Sequence, residues 1–268
     1  MPELPEVETV ARSLRPRLVG MRLMGAIARR AGLREPFPDF DGEPVGQVVL
    51  SVARRSKYLL IEFESGTLLM HLGMSGHLRW LEKEEVAGKH DHLDLVFQNG
   101  RVRLNDPRRF GTVLWQPKGE MHKALSKLGP EPLEAGFDGK ALHTRLKGRA
   151  TPIKVAVMDA GIVVGVGNIY ATEALFRAGI HPAKAAGSVS LRRCNTLVGH
   201  IRDVLNEGIA KGGSTLRDFH GVEGETGTFS AGVDVYGRAG LACHRCKTKI
   251  DSIRLGGRAS AFCPKCQK

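Results

Sequence analysis

The sequence predicts an α+β protein: an N-terminal helix plus an antiparallel β-sandwich, then a helical domain, and last a small cysteine-bearing hairpin. Three observations carry this prediction. Apolar residues near the start recur at helical spacing, short aliphatic segments alternate with turn residues over the next hundred positions, and four of the five cysteines lie in the last 26 residues.

The first helix is predicted over residues 5–19. Pro5 suits the first turn of a helix, and Gly20 suits the position just after its end. Pro2 then lies just ahead of the helix. The apolar face is formed by Val7, Val10, Ala11, Leu14 and Leu18.

Seven short segments between about residues 21 and 115 have the aliphatic content of β-strands. Asn99-Gly100 is a strong hairpin signal, and Glu64-Ser65-Gly66 fits a second turn. Their spacing predicts an antiparallel sandwich or a flattened barrel. The predicted strands are 47–52, 57–63, 67–72, 77–81, 92–97, 101–105 and 111–115.

Gly129-Pro130-Glu131-Pro132 marks a change from strand to helix patterns. Helices are predicted over 139–147, 152–159, 168–178 and 190–211, followed by a Gly-rich loop at about 221–232. The chain is therefore divided into a β-sandwich domain (1–130), a helical domain (131–234) and a four-cysteine module (235–268).

Composition and charge restrict the class of protein. The contents of 42% hydrophobic and 25% charged residues are typical of a soluble globular chain. No apolar segment approaches the ~20 residues that span a bilayer, and the acidic N-terminus lacks the features of a signal peptide, so a cytoplasmic protein is expected. The net charge of +12 favours a nucleic-acid partner. A scattered basic surface is the alternative.

The cysteines form two Cys-x2-Cys pairs separated by 16 residues. Four thiolates complete a tetrahedral zinc shell with no position left for water. The spacing therefore predicts one structural Zn²⁺, whose binding supplies folding energy to a module with little core. Disulfides or reduced thiols are the alternative, and His244 is a competing ligand that fits a solvent-facing loop better. The predicted ligands are Cys243, Cys246, Cys263 and Cys266.

Pro2-Glu3 is a candidate for chemistry at the start of the chain. Removal of Met1 exposes the secondary amine of Pro2, and an α-amino group titrates near ~7.7–8.0. The positive end of a helix further disfavours the protonated amine. Such an amine can attack a sugar C1′ and form an iminium, with Glu3 beside it as a proton donor. Prolines without a role are also common near N-termini, so the residues alone leave both interpretations open.

Ordered motifs cover the chain from end to end and resemble those of formamidopyrimidine-DNA glycosylases. The chain begins Met1-Pro2-Glu3-Leu4-Pro5-Glu6-Val7-Glu8-Thr9 and ends in the four-cysteine tail. Between them lie Lys57-Tyr58-Leu59-Leu60, His71-Leu72-Gly73-Met74-Ser75-Gly76, Lys89-His90-Asp91-His92, Asp106-Pro107-Arg108-Arg109-Phe110-Gly111 and Gly165-Val166-Gly167-Asn168-Ile169-Tyr170.

The resemblance implies a bifunctional DNA glycosylase/AP lyase that excises oxidised purines from damaged double-stranded DNA in base excision repair. Pro2 would be the nucleophile and Glu3 the proton donor in base excision. Lys57 would donate a proton in β-elimination, and Arg258 would serve δ-elimination. A bacterial, monomeric enzyme without an organic cofactor is implied.

The resemblance also implies DNA contacts in the first half of the chain. Met74, Arg108 and Phe110 would fill the void that a flipped base leaves in the stack. A core methionine and a core phenylalanine are the alternatives for Met74 and Phe110. His90 and Arg108 match DNA-binding positions of the family.

Residues 152–181 resemble the helix–two-turn–helix of the family. Asn168 would meet a phosphate at a helix start, Lys154 is a further candidate phosphate contact, and Arg149 matches a DNA-binding position.

The segment 214–236 corresponds to the lesion-capping region of the family, and Gly227-Thr228-Phe229 departs there from the usual Gly-Tyr-Phe. Two rival functions remain. One is the endonuclease VIII-like lyase for oxidised pyrimidines, against which Leu4 argues, since that branch typically begins Pro-Glu-Gly-Pro-Glu. The other is a non-catalytic DNA- or RNA-binding zinc protein.

Overall fold

The computed structural model describes residues 2–214, 221–222, 224 and 227–268. The backbone divides into two compact units, one formed by 1–126 with 209–230 and the other by 127–208 with 231–268. The division into three domains ending at 130, 234 and 268 stays a prediction.

The first unit begins with helix α1 (Leu4–Leu18), within one residue of the predicted bounds. Glu3 and Glu6 form a capping box at its start, and Pro5 occupies the first turn. Gly20, just past the end, has a φ of +83° that favours glycine. The five apolar residues at helical spacing are fully buried. Burial of each larger one is worth roughly 1.5–3 kcal/mol, which holds the helix start firmly in place.

Eight strands form two four-stranded antiparallel sheets in this unit, which confirms the predicted sandwich. The sheet orders are β2-β3-β4-β8 and β1-β6-β7-β5. Side chains from α1 and from both sheets share one core. The strands are β1 (Leu23–Ala28), β2 (Ser51–Arg55), β3 (Tyr58–Glu62), β4 (Gly66–His71), β5 (His77–Leu81), β6 (Asp91–Phe97), β7 (Gly100–Asn105) and β8 (Thr112–Pro117).

Strand β1 is absent from the sequence prediction. It lies at a sheet edge and pairs only with β6, through a bulge between Leu23 and Gly25. The bulge breaks the alternation by which a half-buried strand is recognised, and it leaves Met24 and Ile27 exposed. The predicted strand 47–52 also begins too early. Residues 47–49 bond instead to the chain around Met21 and Leu23, and the regular ladder of β2 starts at Ser51.

The second unit contains the predicted helices and the hairpin of the tail. Helix α4 is shorter than predicted, whereas the three longer helices agree within one residue at each end. A short helix α2 (Lys123–Ser126) ends the first segment of the sandwich unit, and single 3₁₀ turns lie at Ala186–Ser188 and Phe229–Gly232. The remaining elements are α3 (Gly139–Leu146), α4 (Ile153–Val157), α5 (Asn168–Arg177), α6 (Leu191–Ala210), β9 (Asp251–Leu255) and β10 (Arg258–Phe262).

Charge is distributed unequally between the two units. The helical unit contains 19 lysines and arginines against 9 aspartates and glutamates, and the sandwich unit contains 21 against 19. Nearly all of the excess positive charge therefore belongs to the helical unit. Among the described helices, none combines the length and the apolar character needed to cross a membrane.

Candidate active site and zinc centre

The N-terminal motif lies at the positive end of α1, as the sequence predicted. Pro2 is buried directly ahead of the helix, and Glu3 is the N-cap residue with 3% of its surface exposed. The Glu3 side chain accepts the backbone N–H of Glu6 in the capping box. The motif therefore sits on a rigid element with one carboxylate turned toward the helix start.

Glu6 connects this helix start to a distant part of the chain. One carboxylate oxygen accepts the Glu3 N–H at 2.8 Å, and the other accepts both the N–H and the hydroxyl of Ser214, at 2.7 and 2.8 Å. Glu6 is 1% exposed. A buried carboxylate thus fixes the chain at Ser214, where the predicted lesion-capping region begins, against the residues that flank Pro2. Residues 215–220, 223 and 225–226 of that region lie outside the described residues.

Gly227 and Phe229 meet the chain just before Ser214. A Cβ at Gly227 would lie 2.2 Å from the carbonyl oxygen of Gly213, so no other residue fits there without a shift. The Phe229 N–H donates to that same carbonyl, and the ring is buried. The neighbouring Thr228, at the departure from the family pattern, is exposed.

Lys57 lies on the two-residue turn between β2 and β3 and is half-buried. Helix α1 packs on both strands of this hairpin. Burial lowers the pKa of His71 to about 4, and the positive charges of Lys57 and Arg34 act in the same direction. His71 is therefore a neutral imidazole beside cations. The sequence analysis assigned it no role.

The three predicted void-filling residues lie on two adjoining loops, 72–76 and 106–111. Met74 and Phe110 line one open depression of about 560 Å³ together with Arg34, His71, Gly73 and Arg109. The Arg108 guanidinium stacks over the Phe110 ring, 4.7 Å from its centre. Phe110 is 46% exposed and Met74 is half-buried, so neither is a core residue.

His90 and Arg149 occupy different units. His90 is half-buried just before β6, and its carbonyl accepts the N–H of Asp106 at 3.0 Å. Arg149 is exposed just after α3, where it donates to the Arg145 carbonyl and lies 3.8 Å from Asp159. Arg149 thus presents a cation on the surface of the helical unit.

Lys154 and Asn168 are in direct contact. The Lys154 ammonium donates to Asn168 Oδ1 at 2.6 Å, to Ser260 Oγ at 2.7 Å and to the Ala259 carbonyl at 3.0 Å. Lys154 is 1% exposed, so its ammonium is already surrounded by protein acceptors. Because Asn168 Oδ1 faces Lys154, its amide NH₂ is turned the other way, at the first position of α5. Lys154 thus orients Asn168 and joins α4 to β10.

The four predicted zinc ligands converge. Their Sγ atoms all lie within 4.8 Å of one another. A tetrahedral shell with Zn–S bonds of about 2.3 Å has S···S edges of roughly 3.8 Å, so the cluster fits one zinc ion. His244 is outside the cluster and pairs with Asp234 at 3.3 Å. The prediction of one structural zinc with Cys243, Cys246, Cys263 and Cys266 as ligands fits this geometry.

Arg258 begins β10 at the tip of the zinc hairpin. The turn Gly256-Gly257 has φ values of +53° and +75°, which favour glycine at both positions. Arg258 pairs with Leu255 across the turn and is exposed. The hairpin therefore presents a guanidinium at its outermost point.

Glu173 anchors the segment that leads into the zinc module, and the sequence analysis missed it. Its carboxylate accepts the backbone N–H groups of Asp234, Val235 and Tyr236 at 2.8 to 3.0 Å. Burial raises the pKa of Glu173 even though these bonds favour the charged form. A lone glutamate on the apolar helix α5 was the only available signal.

Three family models match successive parts of the chain. Residues 1–113 match the family model of the formamidopyrimidine-DNA glycosylase N-terminal domain, 128–220 its H2TH domain, and 240–268 the zinc finger found in FPG and IleRS. The formamidopyrimidine-DNA glycosylase of Magnetococcus marinus is 53% identical over 274 residues, with 100% of each chain covered.

Two solved structures superpose over 100% of both chains with a TM-score of 0.92. One is a Lactococcus lactis FPG mutant bound to DNA containing Fapy-dG, at 34% identity, and the other is MutM bound to DNA containing carbocyclic 8-oxo-G, at 35% identity.

A β-sandwich with an N-terminal Pro-Glu helix, a helix–two-turn–helix region and a four-thiolate zinc finger defines a class of zinc-containing DNA glycosylases. The chain belongs to the formamidopyrimidine-DNA glycosylase family. The predicted fold class, the family resemblance and the structural zinc are confirmed. The roles of individual residues stay predictions.

Proposed function

We propose that the protein is a bifunctional DNA glycosylase/AP lyase that removes oxidised purines through a Pro2 Schiff base in base excision repair. The placement of Pro2 supports this most directly, because it is held ahead of the positive end of α1 with Glu3 adjacent. A helix start disfavours a protonated amine, so a larger share of the Pro2 nitrogen is a free nucleophile at neutral pH.

The proposed reaction begins once Met1 is absent. The Pro2 nitrogen attacks C1′ of the lesion nucleotide, the bond from C1′ to the base breaks, and Glu3 supplies a proton as the base leaves. The Pro2 nitrogen loses its proton, the C1′–O4′ bond breaks as O4′ takes up a proton, and the ring-opened sugar is held as an iminium. Loss of a C2′ proton from the iminium expels the 3′ phosphate, and a second elimination expels the 5′ phosphate. Lys57 serves the first elimination and Arg258 the second, and the product is a gap with phosphate at both ends.

The DNA contacts follow from the same proposal. Met74, Arg108 and Phe110 occupy the void left by the flipped base, which suits their position on adjoining loops, with Arg108 and Phe110 exposed and Met74 half-buried. His90 and Arg149 contact phosphates. Within the helical unit, Asn168 offers its amide to a phosphate at the start of α5, and Lys154 acts beside it.

The substrate class is purine lesions in duplex DNA, namely 8-oxoguanine and formamidopyrimidines. The two solved relatives are bound to DNA that contains Fapy-dG and carbocyclic 8-oxo-G, which supports this class. The enzyme is a monomer of the bacterial cytoplasm that associates with the nucleoid through DNA. Light scattering at micromolar concentration tests the monomer, since a dimer would double the mass from 29.1 kDa.

Covalent trapping tests the function. Intact mass spectrometry first establishes that Pro2 is the free N-terminus. Sodium borohydride, added with a duplex containing 8-oxoguanine opposite cytosine, then reduces the iminium to a stable protein–DNA adduct. A form with an N-terminal extension that blocks the secondary amine of Pro2 is the control. No adduct from the free protein, or equal cleavage by the blocked form, overturns the proposal.

A panel of duplexes separates the rival activities. Equal amounts of 8-oxoguanine, formamidopyrimidine and thymine glycol duplexes are compared at single turnover. Faster release of thymine glycol would support the endonuclease VIII-like alternative. Binding to all duplexes without any base release, unchanged by Pro2→Gly, would support a non-catalytic DNA-binding protein.

A further inference from the structure

The two loops that carry Met74, Arg108 and Phe110 are joined by one buried carboxylate. Asp106 has no exposed surface, and Ser75 is 6% exposed. The Ser75 hydroxyl donates to Asp106 Oδ1 at 2.7 Å, and the Gly111 N–H donates to Asp106 Oδ2 at 2.8 Å. Asp106 thus holds the middle of the first loop to the far end of the second.

The same two side chains reach the backbone of the void-filling residues. The Arg108 N–H donates to Ser75 Oγ at 3.2 Å, so the Ser75 hydroxyl bridges Arg108 and Asp106. Hydrogen bonds of a charged carboxylate in a buried setting are stronger than neutral ones. The bridge therefore fixes where the Arg108 backbone lies, and with it the guanidinium that stacks on Phe110.

The backbone of Asp106 contributes to this network as well. Its carbonyl accepts the His92 ring nitrogen Nε2 at 2.9 Å and the Arg109 N–H at 3.2 Å. Arg109 has a φ of +57°, a conformation that a residue with a side chain rarely adopts and that needs support from its surroundings. The loop is thus held in an unfavourable backbone conformation by bonds that converge on one residue.

Close packing of the first loop against the second limits other arrangements. Gly73 has a φ of +61°, and a Cβ there would lie 2.4 Å from the carbonyl carbon of Phe110. The loops are therefore in contact at Gly73 and bonded at Ser75, on either side of Met74. Such a pair of anchors keeps the Met74 and Phe110 side chains beside the same depression.

We infer that Asp106 and Ser75 are positioning residues that hold Met74, Arg108 and Phe110 ready to replace a flipped base. This rests on the proposed function. A preassembled wedge avoids the ordering cost of forming it at each encounter. The two residues matter only where a base must leave a stacked duplex, and they are dispensable for the covalent chemistry at a sugar already free of its base.

The test compares two substrates at single turnover with borohydride trapping. One is a duplex with 8-oxoguanine opposite cytosine, and the other is a single-stranded oligonucleotide with an abasic site, where there is no stack to fill. The variants are Ser75→Ala, which removes the bridge, Asp106→Ala, and Asp106→Asn, which keeps one oxygen to accept the Gly111 N–H and replaces the other with an NH₂ that can donate to Ser75 Oγ. The control Ser51→Ala removes an exposed serine–carboxylate bond of the same length, 2.7 Å, to Glu62.

Displacement of a positioned group by about 1 Å can cost on the order of 100-fold in rate. We therefore expect Ser75→Ala and Asp106→Ala to slow trapping on the duplex by roughly 10- to 100-fold and on the abasic strand by less than about threefold. Asp106→Asn should recover most of the duplex rate, and Ser51→Ala should match the native protein. Equal losses on both substrates, or none on either, overturn the inference. A native protein that traps neither substrate overturns the proposed function itself.

Discussion

Replacing Lys154 with methionine tests whether this lysine joins helix α4 to the zinc hairpin. Methionine keeps the length of the side chain and removes the ammonium, so three acceptors lose their donor. The Ser260 hydroxyl already donates to the Arg258 carbonyl at 3.3 Å and keeps that partner, and Asn168 can rotate its amide. The Ala259 carbonyl has no such adjustment in the contacts described.

The expected loss of stability follows from these three acceptors. An unsatisfied buried acceptor costs about 1–3 kcal/mol, and Ser260 and Asn168 each lose the hydrogen bond that they accept from Lys154. The free energy of unfolding should fall by about 2–4 kcal/mol. For a unit of this size, 1 kcal/mol shifts the Tm by roughly 4 °C, so we expect a decrease of about 8–16 °C.

Calorimetry with excess zinc measures the Tm, and titration of a labelled duplex over a range of salt measures DNA affinity. Lys140→Met is the matched control, because it removes the same charge from an exposed position in α3. Lys154→Met should lose more affinity than this control, since it also releases Asn168. A Tm within about 2 °C of native, with affinity equal to that of Lys140→Met, would refute the assigned role.

Three further perturbations have defined outcomes. Glu6→Gln leaves one carbonyl oxygen where two carboxylate oxygens accepted bonds from Glu3 and Ser214, so calorimetry should show that the free energy of unfolding falls by about 1–3 kcal/mol. Ser214→Ala keeps the backbone bond and should cause a smaller loss. Equal losses from the two variants would count against the bridge. A strong chelator should remove the zinc and unfold residues 240–268, which circular dichroism and duplex binding should both report as a loss of signal. Added zinc should restore both signals. Duplex binding that survives zinc removal would contradict the structural role of the zinc. Because the pKa of His71 is lowered to about 4, the unfolded chain takes up a proton below about pH 6.5 that the folded chain does not, so stability should fall as the pH drops from about 6.5 toward 4. His71→Gln should flatten this dependence of stability on pH between about pH 6.5 and 5. An unchanged slope would show that other groups cause it.

Local patterns predicted much of this fold. Helix α1 follows from five apolar residues at helical spacing, and the β6–β7 hairpin follows from Asn99-Gly100. The zinc centre follows from cysteine spacing alone, because each pair of ligands is adjacent in sequence. In each case the residues that interact lie close together in the sequence, at most the 23 positions that separate Cys243 from Cys266.

Contacts between distant residues escaped prediction. Glu6 and Ser214 are 208 positions apart, and neither is unusual in its own segment. Asp106 and Ser75 pair across 31 positions. Strand β1 was missed because a bulge disrupts its alternation. The role of Lys57 was suggested only by family resemblance, and the residues alone left the role of Pro2 open, since their chemistry depends on neighbours that no local pattern specifies.

The unequal charge of the two units determines which of them attracts DNA at long range. Attraction to a phosphate backbone grows with the number of cations presented, and it weakens steeply as salt rises. The helical unit has an excess of 10 positive charges and the sandwich unit only 2, so the long-range attraction to DNA is due almost entirely to the helical unit. The sandwich unit, whose charges nearly balance, adds little to this attraction, so the loss of DNA affinity with rising salt should come mainly from cations of the helical unit.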